Sequence, residues 1–263
     1  MSLFGESKRI VIKAGSNTLT HSTGKLNVRK IELLAKVLSD LINQGKEIVL
    51  VSSGAISAGA AKLGLDRKAM TVVEKQALAA IGQSELMKLY IRFFGDYGVH
   101  VGQLLLTKDI FTNPERKKHA KNTFEALISM GALPIINEND AVSDDEVTQF
   151  GGNDILSAYV AQFCQADLLI NMTDVEGLYT RDPRKYKDAE LISRVDNIDD
   201  VKDIAGGAGT VHGTGGMMAK MTAAEMSVSA GIPMFIVSGE DPNILYDIAS
   251  GKQVGTYFPA KKV

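Results

Sequence analysis

The stretch Arg9-Ile10-Val11-Ile12-Lys13, followed by Ala14-Gly15-Ser16-Asn17, sets a pattern that recurs through the chain. A short run of apolar, β-branched residues is typical of a strand that is buried on both faces. A turn of small and polar residues closes the run, and apolar residues then recur at helical spacing. Asn27 is placed to cap this helix, and Gly45 is placed to end it in a left-handed conformation.

The same alternation continues along the rest of the chain. Further strands are predicted at residues 47–51, 99–106, 133–136, 168–172 and 234–237, and further helices at 74–94, 116–130 and 154–165. Continuously apolar strands separated by helices indicate a mainly parallel sheet covered on both faces, which is an α/β three-layer sandwich. The length of 263 residues fits a single domain that spans residues 1–263.

Composition limits the classes of function. Lys and Arg total 29, Asp and Glu total 31, and the formal net charge of −2 provides no general attraction to nucleic acid or anionic lipid. The single cysteine, Cys164, excludes an intrachain disulfide. No apolar run reaches the roughly 18 residues of a membrane helix, and the N-terminus lacks the pattern of a signal peptide. We therefore expect a cytoplasmic protein that binds neither nucleic acid nor membrane.

Polar and glycine-rich clusters follow the predicted strands. They lie at residues 13–17, 52–55, 137–140 and 173–174. Because ligands of parallel sheets bind outside the carboxyl ends of the strands, these clusters predict a ligand site along one edge of the sheet. The alternative for any one cluster is an ordinary set of turn and cap residues. Four clusters at equivalent strand ends favour the site.

The common nucleotide signatures are absent from the sequence. It contains no G-x-x-x-x-G-K-[ST] loop, no G-x-G-x-x-G after a strand, and no H-R-D with D-F-G. The four histidines also lack metal-ligand spacing. These absences disfavour a P-loop enzyme, a dinucleotide-dependent dehydrogenase and a zinc enzyme.

Two lysines in glycine-rich surroundings predict a different kind of phosphate site. Lys13 ends the first predicted strand, beside Gly15 and the N–H groups of the following turn. Residues 213–220 run directly into a helix, whose free amides and Lys220 would form a second phosphate-binding end. Two cations from distant parts of the chain suit phosphoryl transfer, in which charge spreads over the transferred group.

On these segments the chain resembles the amino-acid kinase family. The stretch 173–183, Thr-Asp-Val-Glu-Gly-Leu-Tyr-Thr-Arg-Asp-Pro, and the stretch 213–220 are similar to the nucleotide-binding segments of that family. Residues 52–55, 137–142 and 151–158 are similar to members that phosphorylate L-glutamate. The resemblance extends from about residue 8 to residue 258. It implies that ATP, with Mg²⁺, phosphorylates the γ-carboxylate of L-glutamate to give L-glutamyl 5-phosphate, the first step of proline biosynthesis.

The resemblance also implies roles for individual residues. As catalytic residues it assigns Lys13 to the phosphoryl group in transfer, Lys220 to the nucleotide phosphates, and Asp154 to holding both lysines. For L-glutamate it assigns Asp140 to the α-ammonium, and Ser53 and Asn153 to carboxylate oxygens. The implied nucleotide-binding positions are Lys13, Thr173, Asp174, Thr214, Gly215, Gly216, Met217, Met218, Ala219 and Lys220. The N-terminal part of the domain would then bind the acceptor, and residues from about 160 to 263 the nucleotide.

Alternatives remain open on the sequence alone. Other kinases of the family act on acetylglutamate, aspartate, carbamate or UMP, and a non-catalytic relative would bind nucleotide or an oxyanion without turnover. Asn153 and Asp154 also form an ordinary capping sequence before a helix. Gly152 departs from the family pattern, which has an acidic residue there. The resemblance further implies a homo-oligomer, a dimer or a tetramer, and feedback inhibition by proline; the C-terminal PUA domain of many relatives is not expected here.

Overall fold

The computed structural model describes residues 3–65, 70–142, 152–201, 204 and 216–261. Its central feature is a mainly parallel sheet. Within them, the sheet consists of β1 Arg9–Ala14, β2 Glu47–Val51, β3 Val101–Leu106, β4 Leu133–Glu138, β5 Leu168–Thr173, β8 Met234–Ser238 and β9 Thr256–Phe258. A separate antiparallel ribbon pairs β6 Leu178–Tyr179 with β7 Leu191–Ile192. The order of the main sheet is β3-β4-β2-β1-β5-β8-β9, in which β9 alone is antiparallel to its neighbour.

Helices cover both faces of the sheet. They are α1 Leu3–Glu6, α2 Ser16–Leu19, α3 Val28–Asn43, α4 Ala55–Leu63, α5 Val72–Asp96, α6 Asp109–Thr112, α7 Pro114–Ser129, α8 Asn153–Phe163, α9 Met217–Ser229 and α10 Ile244–Ala249, with 3₁₀ turns at Asp140–Val142 and Ile198–Val201. None of the helices in this described part is long and apolar enough to span a bilayer.

Alternation along the central strands distributes the core between the two faces. Ile10 and Ile12 of β1 pack into a core with residues of α3, α5 and α10, and Val11 packs into a second core with residues of α7, α8 and α9. Successive side chains of a strand point to opposite faces, so both faces of β1 are apolar and buried. The predicted α/β three-layer sandwich with a mainly parallel sheet is therefore confirmed.

The structure confirms both predicted end residues of α3, whereas the other predicted helices differ from the observed ones by one to two residues at most of their ends. The side chain of Asn27 accepts a hydrogen bond from the backbone N–H of Lys30, and Gly45 follows α3 with a φ of +91°. The long helix α5 begins two residues before the predicted start, because Thr71 and Glu74 form a capping box there. The ribbon β6–β7 and the antiparallel strand β9 were not predicted, since strands of two or three residues have no measurable periodicity.

The sole cysteine of the chain lies deep in the second core. Cys164 follows α8 directly and is wholly buried. Burial raises the pKa of its thiol to about 12, so the side chain behaves as a small apolar residue.

Candidate active site

The carboxyl ends of β1 and β5 bring two polar side chains into an apolar layer. Lys13 of β1 and Asn171 of β5 are paired in register, on the same face of the sheet as Val11 and Leu169. Both apolar neighbours are wholly buried, and so is Asn171, whereas Lys13 is 6% exposed. Polar groups in such a layer destabilise the fold unless they find partners. Those partners come from α8 and α9, which cover this face.

Asp154, in the first turn of α8, lies between two ammonium groups. Lys13 Nζ donates to Asp154 Oδ1 at 2.6 Å, and Lys220 Nζ, from the first turn of α9, donates to Asp154 Oδ2 at 3.1 Å. The side chains of Lys13, Asp154 and Lys220 are 7%, 2% and 6% exposed. The structure thus brings together three of the predicted residues from the beginning, middle and end of the chain. With all three ionised, the cluster has one positive charge in excess, which suits a phosphate ligand.

Burial and pairing together set the ionisation of this cluster. Burial has the largest effect on Lys13 and lowers its pKa; the charge of Asp154 opposes this shift, and the charge of Lys220 adds to it. Burial alone would raise the pKa of Asp154, but the charges of the two lysines and the hydrogen bonds from Lys13 and Asn171 hold that pKa below its ordinary value. Asp154 is therefore an ionised anchor rather than a proton donor.

Asn171 is a further ligand of the central carboxylate. Its Nδ2 donates to Asp154 Oδ1 at 2.9 Å, the same oxygen that accepts from Lys13. Its own Oδ1 is buried and receives no hydrogen bond in the part of the chain that the structure describes. A buried acceptor without a hydrogen bond destabilises the folded protein by about 1–3 kcal/mol. Its presence at this position therefore indicates a role other than stabilising the fold.

A second polar group lies at the ends of β2 and β4, where side-chain amides form a connected network. Asn153 Nδ2 is 2.8 Å from the Ser52 carbonyl, 2.9 Å from Ser53 Oγ and 3.0 Å from Asn137 Oδ1. Asn137 Nδ2 in turn donates to Gln83 Oε1 of α5 at 2.8 Å. The predicted residues Ser53 and Asn153 are therefore in direct contact. Because the amide N–H groups of Asn153 face protein oxygens, Ser53 retains a hydroxyl hydrogen for an incoming ligand.

Asp140 lies close by, in the 3₁₀ turn Asp140–Val142 that packs against α5. Its side chain is half-buried, and desolvation raises its pKa to about 6. No cation of the described residues forms an ion pair with it within 4.0 Å. A desolvated carboxylate without an ion-pair partner among the described residues is suited to bind an ammonium group.

The predicted nucleotide positions lie along the ends of β5 and α9. Thr173 is buried and donates from Oγ1 to Asp174 Oδ1 at 3.0 Å, and Asn17 Nδ2 donates to Asp174 Oδ2 at 3.0 Å. These hydrogen bonds outweigh desolvation and lower the pKa of Asp174. Thr214 and Gly215 lie outside the described residues. Gly216 caps α9, and the following positions are Met217, Met218, Ala219 and Lys220, of which Met218 is exposed and Lys220 is buried.

Gly152, where the resemblance implies an acidic residue, has a backbone conformation that favours glycine. Its φ of +103° and ψ of 167° lie in a region essentially restricted to glycine. An acidic side chain at this position would strain the turn before Asn153 and Asp154.

The described residues do not fit a resident metal. They include no group of three or more His, Cys, Asp or Glu side chains arranged to hold an ion. The carboxylate nearest the centre, Asp154, has both oxygens occupied by ammonium groups. A divalent cation bound to the nucleotide would take phosphate oxygens as ligands rather than Asp154.

Three residues of the site were not predicted as site residues: Gln83, Asn137 and Asn171. Asn171 gave a signal, because it is the one amide in the otherwise apolar run 168–172. Asn137 begins the polar segment 137–140 that was singled out, three residues before the predicted Asp140. Gln83 gave none, since a glutamine on a long amphipathic helix ordinarily faces solvent.

The chain is similar to known proteins in family, sequence and fold. A model of the amino acid kinase family matches residues 8–238. The chain is 48% identical over 261 residues to glutamate 5-kinase of Clostridium perfringens (strain 13 / Type A), covering 98% of this chain and 97% of that protein. It is 52% identical over 256 residues to glutamate 5-kinase of Clostridium tetani (strain Massachusetts / E88), covering 97% and 96%.

Solved structures are similar in fold at much lower identity. The UMP kinase of Bacillus anthracis superposes with a TM-score of 0.64 at 20% identity, over 97% of each chain. The isopentenyl phosphate kinase of T. acidophilum superposes with a TM-score of 0.62 at 17% identity, over 95% of this chain and 99% of that one. At these identities the likeness concerns the fold.

Proposed function

This chain belongs to the amino acid kinase family, and we propose that it transfers the terminal phosphoryl group of ATP to the side-chain carboxylate of L-glutamate. The observation that supports this most directly is the meeting of Lys13 and Lys220 on Asp154, at the edge of the sheet where the amide network also lies. Relatives that cover almost the whole chain are named glutamate 5-kinase.

The chemistry requires little covalent help from the protein. A γ-carboxylate oxygen of glutamate forms a bond to the terminal phosphorus of ATP, and the bond between that phosphorus and the bridging oxygen breaks. Its electron pair remains on ADP, and the products are ADP and L-glutamyl 5-phosphate. The carboxylate is already a nucleophile, so no general base is needed. The barrier is electrostatic, because two anions must approach each other and the phosphoryl charge must be stabilised.

The lysine pair addresses that barrier. Lys13 would contact the phosphoryl group in transfer and Lys220 the nucleotide phosphates, while Asp154 keeps their ammonium groups apart and oriented. The Gly15 backbone approaches Lys13 Nζ closely, since a Cβ at Gly15 would lie 3.3 Å from that nitrogen. A side chain at this position would crowd the ammonium group from that side. Mg²⁺, bound to ATP oxygens, would neutralise part of the phosphate charge.

The acceptor would bind in the amide network. We assign Asp140 to the α-ammonium of glutamate and the Ser53 hydroxyl to a carboxylate oxygen, with Asn153 orienting Ser53 through its hydrogen bond. Thr173, Asp174 and residues 214–220 would contact the nucleotide. This assignment divides one domain, residues 1–263, into an N-terminal acceptor side and a nucleotide side from about residue 160.

The test is an assay of ADP release with Mg-ATP and a panel of acceptors: L-glutamate, L-aspartate, N-acetylglutamate, carbamate and UMP. Hydroxylamine in the same reaction traps an acyl phosphate as a hydroxamate. We expect hydroxamate and ADP in equal amounts with L-glutamate, and at most weak turnover with the others. Turnover of UMP without hydroxamate, or no turnover with any acceptor, would contradict the proposal.

Family membership supports three further proposals. We propose that the enzyme acts in the cytoplasm, that it assembles as a homodimer or homotetramer, and that proline competes with glutamate as a feedback inhibitor. Sedimentation velocity of the purified protein measures the assembly. Glutamate titrations at several proline concentrations measure the inhibition.

A further inference from the structure

Gln83 has a buried amide group that is satisfied on one side only. The residue is 8% exposed, and its Oε1 accepts from Asn137 Nδ2 at 2.8 Å. Its Nε2 is buried and donates to no acceptor among the residues that the structure describes. Leaving such a donor without a partner is unfavourable, so the position calls for an explanation in terms of a ligand.

The polarity of the network establishes that the unsatisfied atom is a donor. The backbone N–H of Glu138 donates to Asn137 Oδ1 at 2.9 Å, and a backbone N–H can only donate. The oxygen of the Asn137 amide is thereby identified, and its nitrogen must face Gln83. That nitrogen also can only donate, so Gln83 presents its oxygen to Asn137 and its NH₂ group elsewhere. A partner of Gln83 Nε2 must therefore bring an acceptor oxygen.

The helix that carries Gln83 packs against the elements that hold the proposed acceptor-binding residues. The preceding residue, Gly82, packs so tightly against α4 that a Cβ there would lie 1.8 Å from the Ala55 carbonyl oxygen. Ala55 opens α4 two residues after Ser53, and the 3₁₀ turn with Asp140 packs against the same helix α5. Gln83 thus contacts Asn137 directly, Asn137 is connected to Ser53 through Asn153, and the helix of Gln83 packs against the turn that holds Asp140.

We propose that Gln83 Nε2 donates a hydrogen bond to the α-carboxylate of bound L-glutamate and so determines specificity for an amino acid with that group. This inference rests on the proposed function. The γ-carboxylate must lie at Lys13 to receive the phosphoryl group, and Asp140 is assigned to the α-ammonium. The α-carboxylate, attached to the same carbon as the ammonium, then lies near Asp140 and meets the donor on α5.

The decisive variant is Gln83→Glu. It keeps the size of the side chain and an oxygen that accepts from Asn137, but it replaces the free NH₂ group with a second oxygen. At pH 8 we expect the KM for L-glutamate to rise by about tenfold to a hundredfold or more, as for loss of a hydrogen bond to a charged group. We expect kcat and the KM for ATP to change by less than about threefold. Gln83→Leu removes both the oxygen that accepts from Asn137 and the NH₂ group, and it should also raise the KM for L-glutamate.

Substrate analogues locate the contact on the ligand. Glutarate has both carboxylates and no ammonium, whereas 4-aminobutyrate lacks the α-carboxylate. As inhibitors competitive with glutamate, glutarate should be weakened in Gln83→Glu by the same factor as glutamate, and 4-aminobutyrate should be unaffected. Gln103→Glu, at an exposed position on β3, is the matched control and should alter none of these constants.

The outcomes separate the possibilities. If Gln83→Glu keeps the wild-type KM while Gln83→Leu raises it, Gln83 only holds Asn137 and the proposal is overturned. A rise in the KM for ATP equal to that for glutamate overturns it too, and so does equal weakening of 4-aminobutyrate. Melting temperatures of both variants exclude a general loss of fold, and Gln83→Met replaces Gln83→Leu if the latter is unstable. A wild-type protein that fails to phosphorylate glutamate overturns the proposed function itself.

Discussion

One buried carboxylate between two ammonium groups is the unit on which the proposed chemistry depends. We expect Lys13→Ala and Lys220→Ala each to lower kcat by about a hundredfold or more, because each removes a preorganised charge aimed at the transferring phosphoryl group. Each also leaves Asp154 with one cation fewer inside the protein. Steady-state kinetics with saturating substrates gives kcat. Turnover close to wild type in both variants would contradict the two-lysine assignment.

Asn171 gives a separate test of the same centre. Asn171→Leu removes the hydrogen bond to Asp154 Oδ1 but also removes a buried acceptor that has no partner among the described residues. We expect kcat to fall by about tenfold, the order of one hydrogen bond to a charged group, while the melting temperature stays level or rises. Kinetics and thermal unfolding on the same preparation provide both quantities. A loss of stability with unchanged kcat would show that Asn171 serves the fold alone.

The raised pKa of Asp140 predicts a pH dependence of acceptor binding. The carboxyl group titrates at about pH 6, so it is charged above that value and neutral below it. A neutral side chain attracts an ammonium group less strongly, so the KM for L-glutamate should rise as the pH falls through 6. Asp140→Asn should have a raised KM at pH 7.5 that no longer changes around pH 6. Because a desolvated charge is removed, we also expect its melting temperature not to fall.

The sequence pattern could identify some of these site residues and not others, and the difference has a physical reason. The meeting of Lys13 and Lys220 was predictable because Lys13 ends an apolar run two residues before Gly15, and Lys220 lies in the first turn of a helix that follows Gly215-Gly216. Gln83 was not, because its contact with Asn137 links residues 54 positions apart through the packing of a helix on a strand end. Hydrogen-bond partners of that kind depend on tertiary geometry, which the local pattern does not encode.

At the scale of elements, the caps of the helices distinguish the site from its surroundings. The helices α4, α8 and α9, which begin beside Ser53, Asp154 and Lys220, all have glycine at the N-cap. The helices α3, α5 and α7 are capped by Asn or Thr side chains that accept from their first amides. Glycine leaves the amides of the first turn available to an anion, and the helix dipole favours negative charge there.

The close crossing of α4 and α5 positions one of those helix starts. We expect Gly82→Ala to destabilise the protein by about 1–3 kcal/mol, because the added methyl group would overlap the Ala55 carbonyl oxygen. The matched control is Gly95→Ala in the same helix, where a Cβ meets nothing within 4 Å. It should stabilise by about 0.5–1 kcal/mol, since alanine is the better helix former. Urea unfolding of both variants measures the difference, and equal effects would contradict the packing argument.

The elements themselves were largely predictable, and their order in the sheet was not. Apolar runs located the five long strands after β1, and local caps located α3. The sequence pattern does not reveal that β1 lies between β2 and β5, which is what brings Lys13 next to Asn171. That neighbour relation depends on which strands pair across long crossovers, a choice made by packing rather than by local propensity.

At the scale of the whole molecule, the two ends of the central strands differ in what they contain. The start of β1 is held by Arg9, whose guanidinium donates to Glu47, Glu125 and the Cys164 carbonyl and so connects β1, β2, α7 and the end of α8. The opposite ends of the strands hold the cluster around Asp154. Both edges therefore contain ion pairs: those of Arg9 connect four elements of the framework, and those of Asp154 hold the two lysines of the candidate site.

The buried thiol of Cys164, which directly follows α8, can report local opening of the protein around that helix. A sulfhydryl with no solvent access and little thiolate at neutral pH is modified by a reagent such as dithionitrobenzoate only when the surrounding layer separates. The rate of the colour change would then measure how often the region around α8, the helix that carries Asp154, opens to solvent. We expect Mg-ATP and L-glutamate together to slow that labelling, and labelling as fast as that of the urea-unfolded chain would show that Cys164 is not shielded.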